Sequence, residues 1–157
     1  MNNDKNLKIA SEKLAQDIVV FMKDDLVKEG KVTSGNLERS LNYNIVEGDS
    51  SESVTINITS LGYLKNVDEG RRAGAKQPPS DAILPWVNQK GIKDIGGVPA
   101  KPEQVAFVIA RSIGEKGIKP TNIISKTKSW VLLNKKDLIE DAARKDMVDK
   151  IKLMFNI

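Results

Sequence analysis

The sequence predicts an α+β fold: a small antiparallel sheet, a hairpin plus one or two further strands, packed by a long N-terminal helix and two to three further helices. Three observations carry this. Apolar residues recur at helical spacing over residues 4 to 29. The period drops to two between residues 41 and 59, then returns to helical beyond residue 102. The 157 residues suffice for a single α+β domain over 1–157, with 125–157 as a C-terminal helical extension.

The first helix follows from Leu7, Leu14, Ile18, Phe21 and Met22, with Ala10 and Leu26 extending the stripe and charges filling the other face. Gly30 is placed to stop it, since glycine enters the left-handed conformation freely. Thr33 to Ser40 reads as a short capped helix. Leu41, Tyr43 and Ile45 then alternate with asparagines, and Val54, Ile56 and Ile58 alternate with Thr55, Asn57 and Thr59. The polar stretch Glu47 to Glu52 between them makes a hairpin with one buried and one wet face. Leu61, Tyr63 and Leu64 continue it or begin a third strand.

Residues 68 to 80 hold two glycines, two adjacent prolines and three cations, the composition of an exposed loop. Ser80 or Asp81 is placed to cap a following helix carrying Ile83, Leu84, Trp86 and Val87, which Pro85 kinks unless it starts late and Gly91 ends. Ile92 to Lys101 reads as a loop around Gly96-Gly97. Pro102 suits the first turn of a helix in which Val105 to Ala110 and Ile113 are apolar almost all round, so burial on most sides is expected, Phe107 included. Ile123-Ile124 and Trp130 to Leu133 read equally as strand or helix. From Asp137, the stripe Ile139, Ala143, Met147 and Ile151 predicts a closing helix to about Phe155.

Composition narrows the chemistry. There is no cysteine and no histidine, so thiolate sites, cysteine nucleophiles, histidine bases and the usual transition-metal ligands have no residues to build them. No loop has the oxygen-ligand spacing of a calcium site. Asp24-Asp25, Asp68-Glu69 and Glu140-Asp141 pair carboxylates, but neighbours on a helix point about 100° apart, and a solvated face is the simpler reading. A carboxylate-based hydrolase is therefore the weakest of the functional readings, and no cofactor is expected. The longest run free of charge, Ser53 to Leu64, is polar and short against the roughly 20 apolar residues of a membrane span.

Two segments stand out. Arg111, Lys116, Lys119, Lys126 and Lys128 face Glu115 alone in their stretch, an excess suited to phosphates or an acidic partner. This supports a sequence-nonspecific DNA-binding accessory protein as the alternative reading, although only Trp130 stands near for base stacking. The second segment is the loop carrying Arg71, Arg72, Lys76, Pro78 and Pro79, with Trp86 just beyond. Either a local arginine–carboxylate pair holds it, or it is an interface loop: arginine is enriched at hot spots, and the prolines lower the cost of ordering it. Trp86 is either core or an interface anchor.

Asp68-Glu69-Gly70-Arg71-Arg72-Ala73-Gly74, Lys76, Pro78-Pro79, Ile83, Trp86 and Lys90-Gly91-Ile92 are followed by Ala106-Phe107, Ile109-Ala110, Ile113, Lys116-Gly117 and Lys119-Pro120-Thr121. In that order and spacing they resemble the tail-completion or neck proteins, the head–tail connectors, of tailed bacteriophages. The similar part runs from Thr33 to Ile124. Pro85 and the long stretch after Ser125 depart from the pattern. The resemblance implies a non-catalytic virion protein, made in the host cytoplasm. It would assemble as a ring of identical subunits against portal, connector or tail proteins, away from any membrane, with cations facing DNA in the lumen. Ring closure demands two different complementary patches per subunit. The loop 68–80 is expected to form one and the terminal helices to contribute to the other.

Overall fold

The computed structural model describes residues 5–30, 35–48 and 53–155. Over these the chain is α+β. Seven helices are described: α1 Lys5–Lys28, α2 Asn36–Ser40, α3 Leu64–Glu69, α4 Ser80–Lys90, α5 Pro102–Lys116, α6 Ile123–Asn134 and α7 Lys136–Phe155. Strands β1 Asn42–Glu47 and β2 Val54–Thr59 form one antiparallel hairpin, and β3 Asp94–Ile95 and β4 Val98–Pro99 a second, smaller one. The sheet is thus two separate hairpins, and six helices follow α1 where two or three were expected. The predicted cap at Thr33-Ser34 and the turn at Asp49 to Glu52 lie outside the described residues.

The chain divides into two compact units. The first comprises Met1–Asp25, Glu38–Leu61 and Ile123–Ile157, and the second Leu26–Leu37 and Gly62–Asn122.

In the first unit α1 buries Ala10, Ser11, Leu14, Ala15, Val19 and Met22, a stripe at helical spacing. Its flanks meet three other elements. Gln16 Nε2 donates to Tyr43 Oη at 3.1 Å, and Lys8 Nζ meets Glu47 at 2.6 Å, both on β1. That carboxylate holds the exposed Lys8 ammonium above its ordinary pKa, chiefly through the hydrogen bond. Phe21 stacks on Trp130 of α6, with ring centroids 4.6 Å apart and planes 15° from parallel. Asp146 of α7, itself buried, accepts the backbone N–H of Asn6 and Leu7 at 3.1 and 2.7 Å. It satisfies first-turn donors that α1 cannot pair internally and sets a negative charge at the positive end of the helix. The β1–β2 register pairs Tyr43 with Ile58 and Ile45 with Ile56 on the half-buried face, and the intervening asparagines and threonines face water.

The ambiguous stretch after Asn122 is helical. In α6, Thr127 Oγ1 donates to the Ile123 carbonyl at 2.7 Å and Asn134 Nδ2 to that of Trp130 at 2.8 Å. In α7 the inward face is Leu138, Ile139, Ala142 and Asp146. Ala143, Met147 and Ile151 of the predicted stripe are exposed. The helix carries two apolar stripes, and the one that turns inward runs beside Asp146, the carboxylate that caps α1.

In the second unit Val87, Val105 and Ala106 form a buried cluster, with Ile83, Leu84, Ile92, Ile95, Ala100 and Ile109 packed around it. Helix α4 runs through Pro85 without breaking; Pro85 lies on its exposed side, and the helix gives up one backbone bond. No side chain caps α4, whose N-cap is Pro79, so the expected Ser80 or Asp81 cap is absent. Gly91 ends it in the left-handed conformation, as expected. Leu64, read as strand, starts α3 instead. Gly96 and Gly97, both at positive φ, close the β3–β4 hairpin where a plain loop was expected, and Asp94 Oδ1 accepts the Gly97 N–H at 2.9 Å. In α5 only Val105, Ala106, Ala110 and Gly114 are buried. Phe107 is 53% exposed and Val108 also faces out, so burial on most sides is corrected to burial on one.

Candidate functional site

The arginine loop, residues 70 to 79, leaves α3 and leads into α4. It is clamped to the segment that follows α5. Arg71 and Ile118 exchange both backbone bonds at 2.8 Å, an isolated antiparallel bridge joining positions far apart in the chain. The bridge needs close backbone approach on both sides, and glycine supplies it. Gly70 has φ +67 and Gly117 φ +75. A Cβ at Gly117 would run into the Arg71 carbonyl oxygen and stand 2.7 Å from the Ala73 nitrogen. One at Gly70 would meet the Ile118 carbonyl and the Pro120 nitrogen. Gly74 donates to the Gly114 carbonyl at 2.9 Å, tying the loop's middle to α5. Below the loop, buried Thr121 donates to the Val67 carbonyl from both its backbone N–H and its hydroxyl, at 3.2 and 3.0 Å.

On this frame the two arginines part company. Arg71 is half-buried: its Nη2 donates to the Lys76 carbonyl oxygen, and its buried Nε has no hydrogen-bond partner. The Nη2 bond braces the loop from within, while the unpaired buried Nε costs roughly 1 to 3 kcal/mol against it. Arg72 and Lys76 are exposed, Pro79 likewise, and Pro78 is half-buried. The sequence treated the two arginines alike, and the structure divides them: Arg72 and Lys76 face solvent and Arg71 turns back. A cationic pair on a backbone tied down by these bonds loses less entropy on meeting an acidic surface than one on an untethered loop. Trp86, on α4, is 39% exposed and is not a core residue.

The five basic residues between 111 and 128 do not share one element. Arg111 lies on α5 and pairs with Glu115 at 2.9 Å; Lys116 occupies the last turn of α5, and Lys119 follows it. Lys126 and Lys128 lie on α6, in the other unit, and Lys126 meets Asp25 at 3.3 Å. The sequence excess is thus spread over three segments, and two of its members are paired with carboxylates.

One feature of the second unit escaped sequence reading. The β3–β4 hairpin and α5 enclose an open groove of about 600 Å³, lined by Ile95, Val98, Pro99, Phe107 and Val108 with Glu103 at its edge. Val98 is 67% exposed there. Asp94-Ile95-Gly96-Gly97-Val98 held the signal, a two-glycine turn between short strands. Among the described residues no three His, Cys, Asp or Glu side chains gather as a metal ion requires, and no helix is long and apolar enough to cross a membrane. No protein-family model matches the chain, and no match was found among curated proteins or solved structures.

Proposed function

We propose that this chain is a structural virion protein of a tailed bacteriophage, forming a ring in the neck or tail-completion region and acting by protein–protein docking. The carrying observation is the clamped loop: glycine-bounded backbone pairing holds Arg72 and Lys76 outward on a rigid mount. Rigid presentation of cations serves recognition of a partner, since pre-organised groups lose little freedom on binding. Apolar side chains left outside on α5 and α7 supply the further surface that a head-to-tail ring needs. The order and spacing of the residues that resemble those of neck proteins point the same way.

Light scattering after size exclusion, from micromolar to near-millimolar protein, tests this reading. Mass should rise with concentration, or the protein should join portal or tail particles of the phage that encodes it. A monomer that does neither ends the proposal. Changing Arg72 and Lys76 together to Ala should weaken particle binding without moving the melting temperature, because both side chains are exposed.

Exposed Lys116, Lys119 and Lys128 support a second reading, sequence-blind DNA contact. Filter binding to duplex DNA should then be measurable at low salt and fall steeply as salt rises; no binding at low salt removes this reading.

A further inference from the structure

Helix α7 carries more apolar surface than the first unit covers. Met147, Ile151, Met154 and Phe155 recur at i, i+4, i+7 and i+8 and all are exposed; Met147, Ile151 and Phe155 turn away from the face that buries Ala142 and Asp146, and Met154 continues that face's row past its buried part. Met154 and Phe155 are 73% and 70% exposed. This is the anchor spacing of a helix that lies in a groove. The second unit holds a groove of matching character between β3–β4 and α5, whose walls include Val98 and Phe107.

We infer that the C-terminal half of α7 of one copy docks into the β3–β4/α5 groove of the next, an inference that rests on the ring reading above. Charge suits this pairing. Arg144, Val148 and Lys152 form one i, i+4, i+8 row along the edge of the α7 stripe, with the exposed Asp149 beside them, so two cations and one carboxylate flank it. The charged side chain lining the groove is the exposed carboxylate Glu103. Helix in groove sets opposite charges together. Pairing groove with groove would bring two Glu103 carboxylates into one interface, and like charges across an interface are penalised. Helix α7 also carries exposed Glu140, Asp141 and Asp149, so the F107D variant, and not charge, separates α7–α7 pairing from this one. Two different patches on one chain also make the contact heterologous, the kind that closes into rings. The two methionines in the stripe, Met147 and Met154, suit an open groove, because their unbranched side chains adapt to irregular walls. On this arrangement the arginine loop is left for a different virion neighbour.

The experiment uses three samples of the full chain, the wild type, F107D and F155D, followed by sedimentation velocity over a concentration series. Both substituted side chains are exposed, so circular dichroism and melting should match the wild type. Each variant alone should self-associate on the order of 30-fold more weakly, the loss of one hot spot. Mixing the two should yield a dimer that grows no further, because only one intact groove and one intact helix remain to meet. Adding Glu103→Lys should weaken association, and combining it with Lys152→Glu should restore part of it. Wild-type association that neither F107D nor F155D weakens overturns this inference and leaves the ring standing. Loss in F155D alone, with F107D unaffected, identifies α7–α7 pairing and also overturns it. A wild type that stays monomeric at every concentration, its α7 unengaged or folded onto its own groove, overturns both the docking and self-assembly.

Discussion

The arginine loop of the second unit and the start of α1 in the first are both held by residues distant in sequence, but through different atoms. At the loop the clamp is main chain to main chain, Arg71 to Ile118 and Gly74 to Gly114, and it depends on what glycine lacks. At α1 the clamp is a side chain: one buried carboxylate, Asp146, reaches two backbone amides and the Asn6 side chain. The first kind is intolerant of any added atom. The second is intolerant of one deletion and otherwise permissive. A surface that must present cations in a set direction gains from the first, and a helical scaffold is adequately held by the second.

Substituting Gly117 should separate the two kinds most sharply. Gly117→Ala forces a β-carbon into positive φ and against the Arg71 carbonyl, and should cost about 3 kcal/mol or more. Urea unfolding would show it as a fall in midpoint at unchanged slope; a loss under about 1 kcal/mol would mean the backbone clamp is loose. Next is Asp146→Ala, expected to cost about 2 kcal/mol by leaving the first-turn amides of α1 without an acceptor. Hydrogen exchange at Asn6 and Leu7 should accelerate, and unchanged exchange there would refute the capping role. A double-mutant cycle on Phe21 and Trp130 should give a coupling of about 1 kcal/mol, and a value near zero would mean the stacking adds nothing beyond area. Smallest is Phe107→Ala, under about 1 kcal/mol for an exposed ring. A cost of about 3 to 5 kcal/mol, the figure for a buried phenylalanine, would place the outer face of α5 inside the fold.

Phe107 marks where sequence reading stops. Apolar periodicity made α1, the β1–β2 hairpin, α4, α5 and α7 legible, because each has a run long enough to declare its period. It could not choose between two apolar stripes on α7, nor tell that α5 is covered on one side only, since an apolar residue facing a partner reads the same as one facing the core. The β3–β4 hairpin was missed because strands of two residues are too short to show alternation. At the candidate site, Gly70, the two arginines and the prolines were visible as a loop, but the division of labour between Arg71 and Arg72 was not. That division comes from the bridge to Ile118, a pairing across nearly fifty positions that no local pattern encodes.

By itself, then, the order of residues determined the α+β class, the main helices and the want of cysteine and histidine chemistry, because these follow from local spacing and from which side chains are present. Tertiary structure alone decided which stripe of α7 turns inward, which arginine of the loop meets solvent, and that α5 and a small hairpin enclose a groove. Burial is a property of what lies opposite a side chain, and what lies opposite is settled only when distant segments meet.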